Sequence, residues 1–320
     1  MSTDGLIAEI FSEFGLGIFF LAVRLFVRLY LGGLRGLRLS DAFAVVAMVF
    51  WTMQTVMIYL QELCGNNIGL NAKIALLVPE SQIHDMILGS KLAFMNWIWY
   101  ISYIWCLKGV MLCLYWEWMQ KLWRRHLVTV VSALCVTTWL ACLLMHVCIC
   151  TPVPQNWQIK PYPGDHCTLR QPLYRVTAVL NVLTNVCLLT IPIPVFITLQ
   201  ITFKKKAILI TMFSSGIFVI ICTILRAYYS LGDITNLPIA LRWASRECCI
   251  AAVIVSLPGI KPFFQKDPAT FAYDGFGSQE SDRNTEFEDM PWESLPGYSQ
   301  ENIWGSVESG DKQWHRNTSE

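Results

Sequence analysis

The run Leu127–Cys150, LVTVVSALCVTTWLACLLMHVCIC, contains no Asp, Glu, Lys or Arg. As a helix rising about 1.5 Å per residue, it reaches about 36 Å, enough to cross the roughly 30 Å hydrocarbon core of a bilayer. An uncharged stretch of that length reads as a membrane span. Six more candidates lie on either side of it: Leu6–Leu31, Asp41–Leu60, Leu92–Tyr115, Leu173–Leu199, Ala207–Leu231 and Leu241–Ile260. The first is the least clear, because Glu9, Glu13, Arg24 and Arg28 intrude near its ends, but it is too long and too charged for a signal peptide. Composition points the same way. Only 15% of the 320 residues are charged and 54% are hydrophobic, whereas ordinary globular chains carry about 25% charge. The expected fold is all-α, a seven-transmembrane helix bundle.

The net charge of +1 averages two unlike pieces. Residues 1–264 hold 20 Lys/Arg against 11 Asp/Glu, and residues 265–320 hold 4 against 12. The first piece is the expected membrane domain. The second is an expected disordered acidic tail, in which Trp292, Trp304 and Trp314 recur among carboxylates like short docking motifs. Orientation follows from the loops. One set of connections carries Arg35, Arg38, Lys121, Arg124, Arg125, Lys204, Lys205, Lys206, Lys261 and Lys266, and the opposite set has Lys73, Lys160 and Arg170. Basic residues collect on the cytosolic side. The N-terminus is therefore expected outside or in the lumen, with the tail in the cytosol, where the Asn317 sequon would stay unglycosylated.

Most of the twelve cysteines fall inside helices, where they serve as small packing residues. Cys64, Cys148, Cys150 and Cys167 fall at the outer face, where disulfides persist. A Cys150–Cys167 bridge would contribute about 3 kcal/mol in the chain-entropy model, and Cys64 with Cys148 offers a second pairing. Spacing alone does not fix the connectivity.

A series of short motifs runs through the same region. Arg24-Leu-Phe-Val-Arg28 and Leu39-Ser-Asp41 flank the first turn, and Cys106-Leu-Lys-Gly-Val110 lies in span three. Cys150-Thr-Pro-Val, Trp157 and Cys167 follow span four. Leu180-Asn-Val182, Ile191-Pro-Ile-Pro194, Leu199-Gln-Ile201 and Lys204–Lys206 come next. Gly216, Arg226, Trp243, Glu247 and Leu257-Pro-Gly-Ile-Lys-Pro-Phe-Phe264 complete the order. Over roughly residues 20–264 this series resembles the fungal rhodopsin-domain family of integral membrane proteins, of the satratoxin-cluster type. The resemblance implies a role beside fungal secondary-metabolite genes or, as for other relatives, a G-protein-coupled surface sensor. The chain departs from the family pattern at three points. Asp41-Ala42 replaces an Asp pair, Gly69-Leu-Asn-Ala-Lys73 lacks the usual His, and Asn185 replaces an Asp. Span seven also holds no mid-helix lysine for a retinal Schiff base, since Lys261 lies at its cytosolic end.

Charged groups inside a bilayer need a reason. Span six runs outward and span seven inward, which brings Arg226 and Glu247 to similar depth. Asn181 and Asn185, at i and i+4, share a face of span five, while His146 lies near the outer end of span four and Trp243 one turn from Glu247. These six residues define a candidate pocket in the outer half of the bundle. A structural ion pair with interhelical amide bonds is the rival account of them. Lys108 is expected to snorkel to the cytosolic interface or to meet Asp41, and Arg24 and Arg28 to anchor span one at phosphate level. Ser40 and Asp41 are expected as helix caps. The aromatic run Trp97, Trp99, Tyr100, Tyr103 and Trp105 reads as an interfacial belt or as π faces for a cation.

No Asp-rich diphosphate motif, zinc spacing, nucleophile elbow, P-loop or dinucleotide fingerprint occurs, so no metal or cofactor is expected. The basic residues belong to loops, so nucleic acid is not implied. The expected function is service in a secondary-metabolite pathway through binding of a small apolar molecule. A receptor coupled to a cytosolic protein at Lys204–Lys206 and the tail is one rival. A cofactor-free membrane cyclase or isomerase with Glu247 as acid is the other, although a neighbouring guanidinium works against a proton donor.

Overall fold

The computed structural model describes residues 3–119, 125–192, 203–232 and 237–264. The tail with its tryptophans and Asn317, Lys266, Lys121, Arg124, Pro194 and Leu199-Gln-Ile201 lie outside them. So do the side chains of Arg125, Lys204, Lys205, Lys206 and Lys261. The helices are α1 (Thr3–Gly32), α2 (Leu39–Cys64), α3 (Ala72–Leu77), α4 (Glu80–Met119), α5 (Arg125–Cys148), α6 (Asp165–Leu169), α7 (Gln171–Thr190), α8 (Phe203–Leu231) and α9 (Leu237–Phe264). No strand occurs among the described residues. Five helical stretches are long and apolar enough to cross a membrane: Gly5–Gly32, Leu39–Cys64, Glu80–Glu117, His126–Cys148 and Asp165–Thr190. In α8 the apolar part found among the described residues is the shorter Gly216–Leu231, and α9 carries Arg242, Arg246 and Glu247.

The long helices close into a ring in chain order. α1 packs on α2, α2 on α4, α4 on α5, α5 on α7, α7 on α8, α8 on α9, and α9 returns to α1. α4 also touches α7 and α9, so it runs nearest the centre. Its apolar window is 61% buried, against 44% or less for the other four spans. The polarity of the bundle is that of a protein dissolved in lipid. Phe19, Val130, Leu144, Val179 and Ile224 face outward, while Arg24, Asp41, Lys108, Arg226 and Glu247 are buried within. Outward apolar side chains meet hydrocarbon, and charges turn inward to partners they could not find in lipid.

One end of the bundle is capped. The Cys150–Cys167 disulfide closes the segment holding a 3-10 turn (Val153–Trp157) and α6. Asn67, after α2, donates from Nδ2 to Asn156 O at 2.9 Å, and Arg170 donates from Nη2 to the same oxygen at 2.8 Å. Gly69 N–H donates to Thr168 O at 3.1 Å. Cys64 and Cys148 are both free, so no second bridge forms.

The end of α2 rests directly on α4. A Cβ on Gly89 would lie 1.7 Å from the carbonyl oxygen of Gly65, which is backbone and cannot rotate away. Gly89→Ala is therefore expected to cost about 3 kcal/mol, the upper end of ordinary overpacking. Thermal unfolding of the purified protein checks this beside Gly15→Ala, where the new methyl meets nothing within 4 Å. The control should leave stability unchanged or raise it slightly.

Arg24, expected at the interface, turns out to be buried, as is Asp41, expected as a helix cap. Arg24 is 0% exposed; it donates to Asp41 Oδ1 at 3.1 Å and 3.3 Å and to the Val255 carbonyl at 2.6 Å. It does not reach for lipid phosphate, because α1 lies against α9 and Gly259 leaves room for its stem. A Cβ on Gly259 would stand 2.6 Å from Arg24 Cγ. Asp41 is not the cap itself. Arg38 is the N-cap residue of α2, and Asp41 reaches back from the first turn to accept from the Arg38 N–H at 3.1 Å.

Candidate functional site

Glu247 of α9 is 0% exposed and is the hub of the interior. Its Oε1 accepts from Asn181 Nδ2 and Thr223 Oγ1, each at 2.6 Å. Its Oε2 accepts from Arg226 Nε at 3.1 Å and from Tyr100 OH at 3.3 Å. Four helices meet at this carboxylate: Tyr100 comes from α4, Asn181 from α7, Thr223 and Arg226 from α8. The antiparallel run of α8 and α9 sets Arg226 and Glu247 at one depth, and the face shared by Thr223 and Arg226 (i, i+3) aims both at the same acceptor.

The network continues along the axis. Lys108 of α4 donates from Nζ to Asn181 Oδ1 at 2.6 Å, to Asn181 O at 3.1 Å and to Thr184 Oγ1. Three oxygens match the three N–H groups of an ammonium. The Trp105 ring lies 4.7 Å from Nζ. Asn181 thus bridges the carboxylate and the lysine, and Lys108 neither snorkels nor meets Asp41. Buried on the central helix, it finds its acceptors on α7, whereas Asp41 is already held by Arg24.

Beside Arg226, toward the capped end, a chamber of about 150 Å³ opens between α1, α2, α4, α7, α8 and α9. Trp97, Tyr100, Tyr174, Leu6, Leu241 and Ala244 supply apolar wall. Gln54, Gln61, Asn96, Ser230, Arg226, Glu62 and Asn66 supply the polar groups. A smaller cavity of about 80 Å³ lies beyond the network, lined by Lys108, Asn185, Met111, Tyr115, Leu188 and Gly216 among others.

The profile of the fungal rhodopsin domain family matches residues 23–266, over three quarters of the chain. The chain belongs to the fungal rhodopsin domain family. It is accordingly an integral, multi-pass membrane protein in contact with a lipid bilayer. No curated protein and no solved structure matches it. The matched region holds Arg24, Asp41, Lys108, Asn181, Arg226 and Glu247, so both buried charge clusters lie inside this fungal rhodopsin domain. Leu6, which helps wall the chamber, lies before it.

Of the six residues expected to form the pocket, the structure brings Arg226, Glu247 and Asn181 into one network, with Arg226 alone of the six reaching the chamber wall. Asn185 lies one turn further along α7 and faces the smaller cavity. Trp243 stacks instead under the Arg246 guanidinium at 5.0 Å. Arg246 in turn pairs with Glu9 at 2.6 Å and with Glu13 at 3.7 Å, and Arg242 pairs with Glu9 at 3.3 Å, which fixes α1 to α9 and accounts for the acidic residues in the first span. His146 is buried beneath the capped end, stacked on Phe94 with centroids 4.4 Å apart and bonded through Nε2 to the Phe94 carbonyl at 2.9 Å. Cys150 and Cys167 are bonded to each other.

Sequence reasoning overlooked Gln54, Gln61 and Asn96, which line the chamber, and Thr223 on the carboxylate. The aromatic run divides by depth. Tyr100 holds Glu247, Tyr103 donates to Cys248 O at 2.9 Å, and Trp105 donates to Thr138 Oγ1 at 3.1 Å, so these three serve the interior rather than an interfacial belt. One signal for Lys108 was available: it is the sole charged residue between Lys91 and Glu117. Among the described residues no group of three His, Cys, Asp or Glu side chains is gathered as for a metal.

Proposed function

We propose that this fungal rhodopsin domain protein crosses the membrane seven times, N-terminus outside or lumenal, with residues 265–320 on the cytosolic side. In this reading it binds a small, mostly apolar molecule in the chamber at its outer end and serves a fungal secondary-metabolite pathway. The chamber carries the proposal. It combines aromatic and aliphatic walls with a few convergent polar groups, the usual makeup of a small-molecule site, and it lies against the charged network. The bias of basic residues toward the opposite end supports the orientation, and the motif series supports the pathway.

A receptor reading draws on one further observation. The chain Arg226–Glu247–Asn181–Lys108 connects the chamber to the smaller cavity, which offers a route by which occupancy could be felt toward the cytosolic end. A cyclase reading has less support. A cavity of about 150 Å³ suits a benzene-sized guest, not a terpenoid intermediate.

Deletion of the gene in its native fungus tests the proposal, with complementation by wild type and by Ala240→Phe, which fills the chamber from α9. Deletion should remove an end product. Wild type should restore it, and Ala240→Phe, present in the membrane at wild-type level, should not. An unchanged metabolite profile after deletion would sink the pathway reading, and full rescue by Ala240→Phe would sink the chamber reading. Collapse of transcripts for the whole pathway would favour signalling over a biosynthetic step.

A further inference from the structure

We infer that the chamber's ligand is a small monoanion, a carboxylic acid in its ionised form with an apolar body, whose carboxylate docks on Arg226. The inference rests on the chamber being a ligand site. It starts from charge. Among the described residues, the buried network holds two cations, Lys108 and Arg226, against one carboxylate, Glu247. Burying a surplus charge is costly, and one negative charge arriving in the chamber would cancel it.

The geometry shows where that charge would sit. Glu247 already accepts four hydrogen bonds, two on each oxygen, and so has little capacity left for the outer edge of the guanidinium. Arg226 lines the chamber, is 3% exposed, spends Nε on Glu247, and leaves Nη2 buried without a partner among the described residues. A carboxylate is the planar, two-oxygen acceptor that a guanidinium edge fits.

The walls agree with a small amphipathic acid. Gln54, which is 5% exposed, Gln61 two turns along α2, and Asn96 on α4 each have a side-chain amide oxygen without a partner among the described residues. The amide oxygen and nitrogen are interchangeable in assignment, so these groups can offer N–H to the second carboxylate oxygen or accept from a hydroxyl on the ligand body. Trp97, Tyr174 and Leu241 provide apolar surface for that body. The one carboxylate in the lining is Glu62, eight residues from Gln54 and about 12 Å from it along α2. Size and charge narrow the class. About 150 Å³ admits a guest near the size of benzoate, and a phosphate, at nearly two charges, would overshoot the surplus of one.

The test uses the full chain purified in an uncharged detergent, with thermal unfolding followed by tryptophan fluorescence. The probes are benzoate, hexanoate, the neutral isostere benzamide and inorganic phosphate. Benzoate or hexanoate should raise the unfolding temperature at concentrations at least about tenfold below those at which benzamide does, because the charged hydrogen bonds to Arg226 are lost in the amide. Phosphate should have no effect. Arg226→Lys, which keeps the charge and loses the fork, should weaken the carboxylate response about tenfold or more. If that variant does not fold, Ala240→Phe should abolish the response instead. Equal stabilisation by benzamide and benzoate would overturn the anion and leave the chamber standing as a site for neutral ligands. Stabilisation by phosphate equal to that by benzoate would overturn the carboxylate assignment. Absence of any response to all four probes would overturn the inference and the chamber reading together.

Discussion

Glu247→Gln is expected to destabilise the protein by about 3–5 kcal/mol, the cost of removing one partner from a buried ion pair. The substitution keeps the shape of the side chain but turns two acceptor oxygens into one. The remaining carbonyl can still accept from Asn181 and Thr223, as Oε1 does at 2.6 Å from each. The new amide N–H groups would then face Arg226 Nε, a donor that approaches Oε2 to 3.1 Å. Donor would meet donor, and Arg226 and Lys108 would stay buried with no carboxylate between them. The measurement is the unfolding temperature of purified protein, beside the amount reaching the membrane. The double variant Arg226→Met/Glu247→Leu separates structure from function, since replacing a whole buried pair by apolar residues is often neutral or stabilising. It should recover most of the lost stability and none of the response to benzoate. Wild-type stability for Glu247→Gln would show that the carboxylate is not what balances the buried cations.

Asp41→Ala is the second large effect, also about 3–5 kcal/mol, for a partly different reason. The Asp41 carboxylate is 1% exposed and divided between two tasks. Oδ1 takes the Arg24 guanidinium, and Oδ2 takes the Arg38 N–H at the start of α2. The variant strands Arg24, which is 0% exposed, with the Val255 carbonyl as its remaining acceptor among the described residues. It also removes a helix-terminal bond normally worth about 1 kcal/mol. Arg24→Met/Asp41→Leu should regain the ion-pair part of the loss but not the capping part, which thermal unfolding of the three variants would resolve. Chamber binding should be unaffected in the double variant, because this cluster joins α1, α2 and α9 away from Arg226. A lost benzoate response in a stably folded double variant would mean that the two clusters are coupled.

The two clusters differ in how far they could be read in advance. Arg226 and Glu247 were legible as a pair because each stands in an apolar stretch and the two helices run in opposite directions, so depth alone brings them level. Arg24 was misread, because charges near span ends have a ready explanation at the lipid headgroups, and only packing against α9 shows that α1 turns Arg24 inward onto Asp41. Lys108 was misread for the same reason. Trp243 was placed near Glu247 by its helical spacing, but its ring stacks on Arg246 instead. Gln54, Gln61 and Asn96 gave no signal at all, since a lone amide in an apolar helix has many acceptable surroundings.

The amino-acid sequence by itself determined the membrane class, the positions of the apolar helical stretches and the cysteines available at the outer face, since these depend on run length, net apolarity and cysteine placement. Tertiary structure alone decided how each helix is turned about its axis. In a bilayer the lipid side of a helix and its packed side are both apolar, so the 3.6-residue rhythm that orients a helix in water fades from the sequence. That rotation places Lys108 on Asn181, Arg24 on Asp41 and three amides around the chamber, and it is set by contacts between helices far apart in the chain.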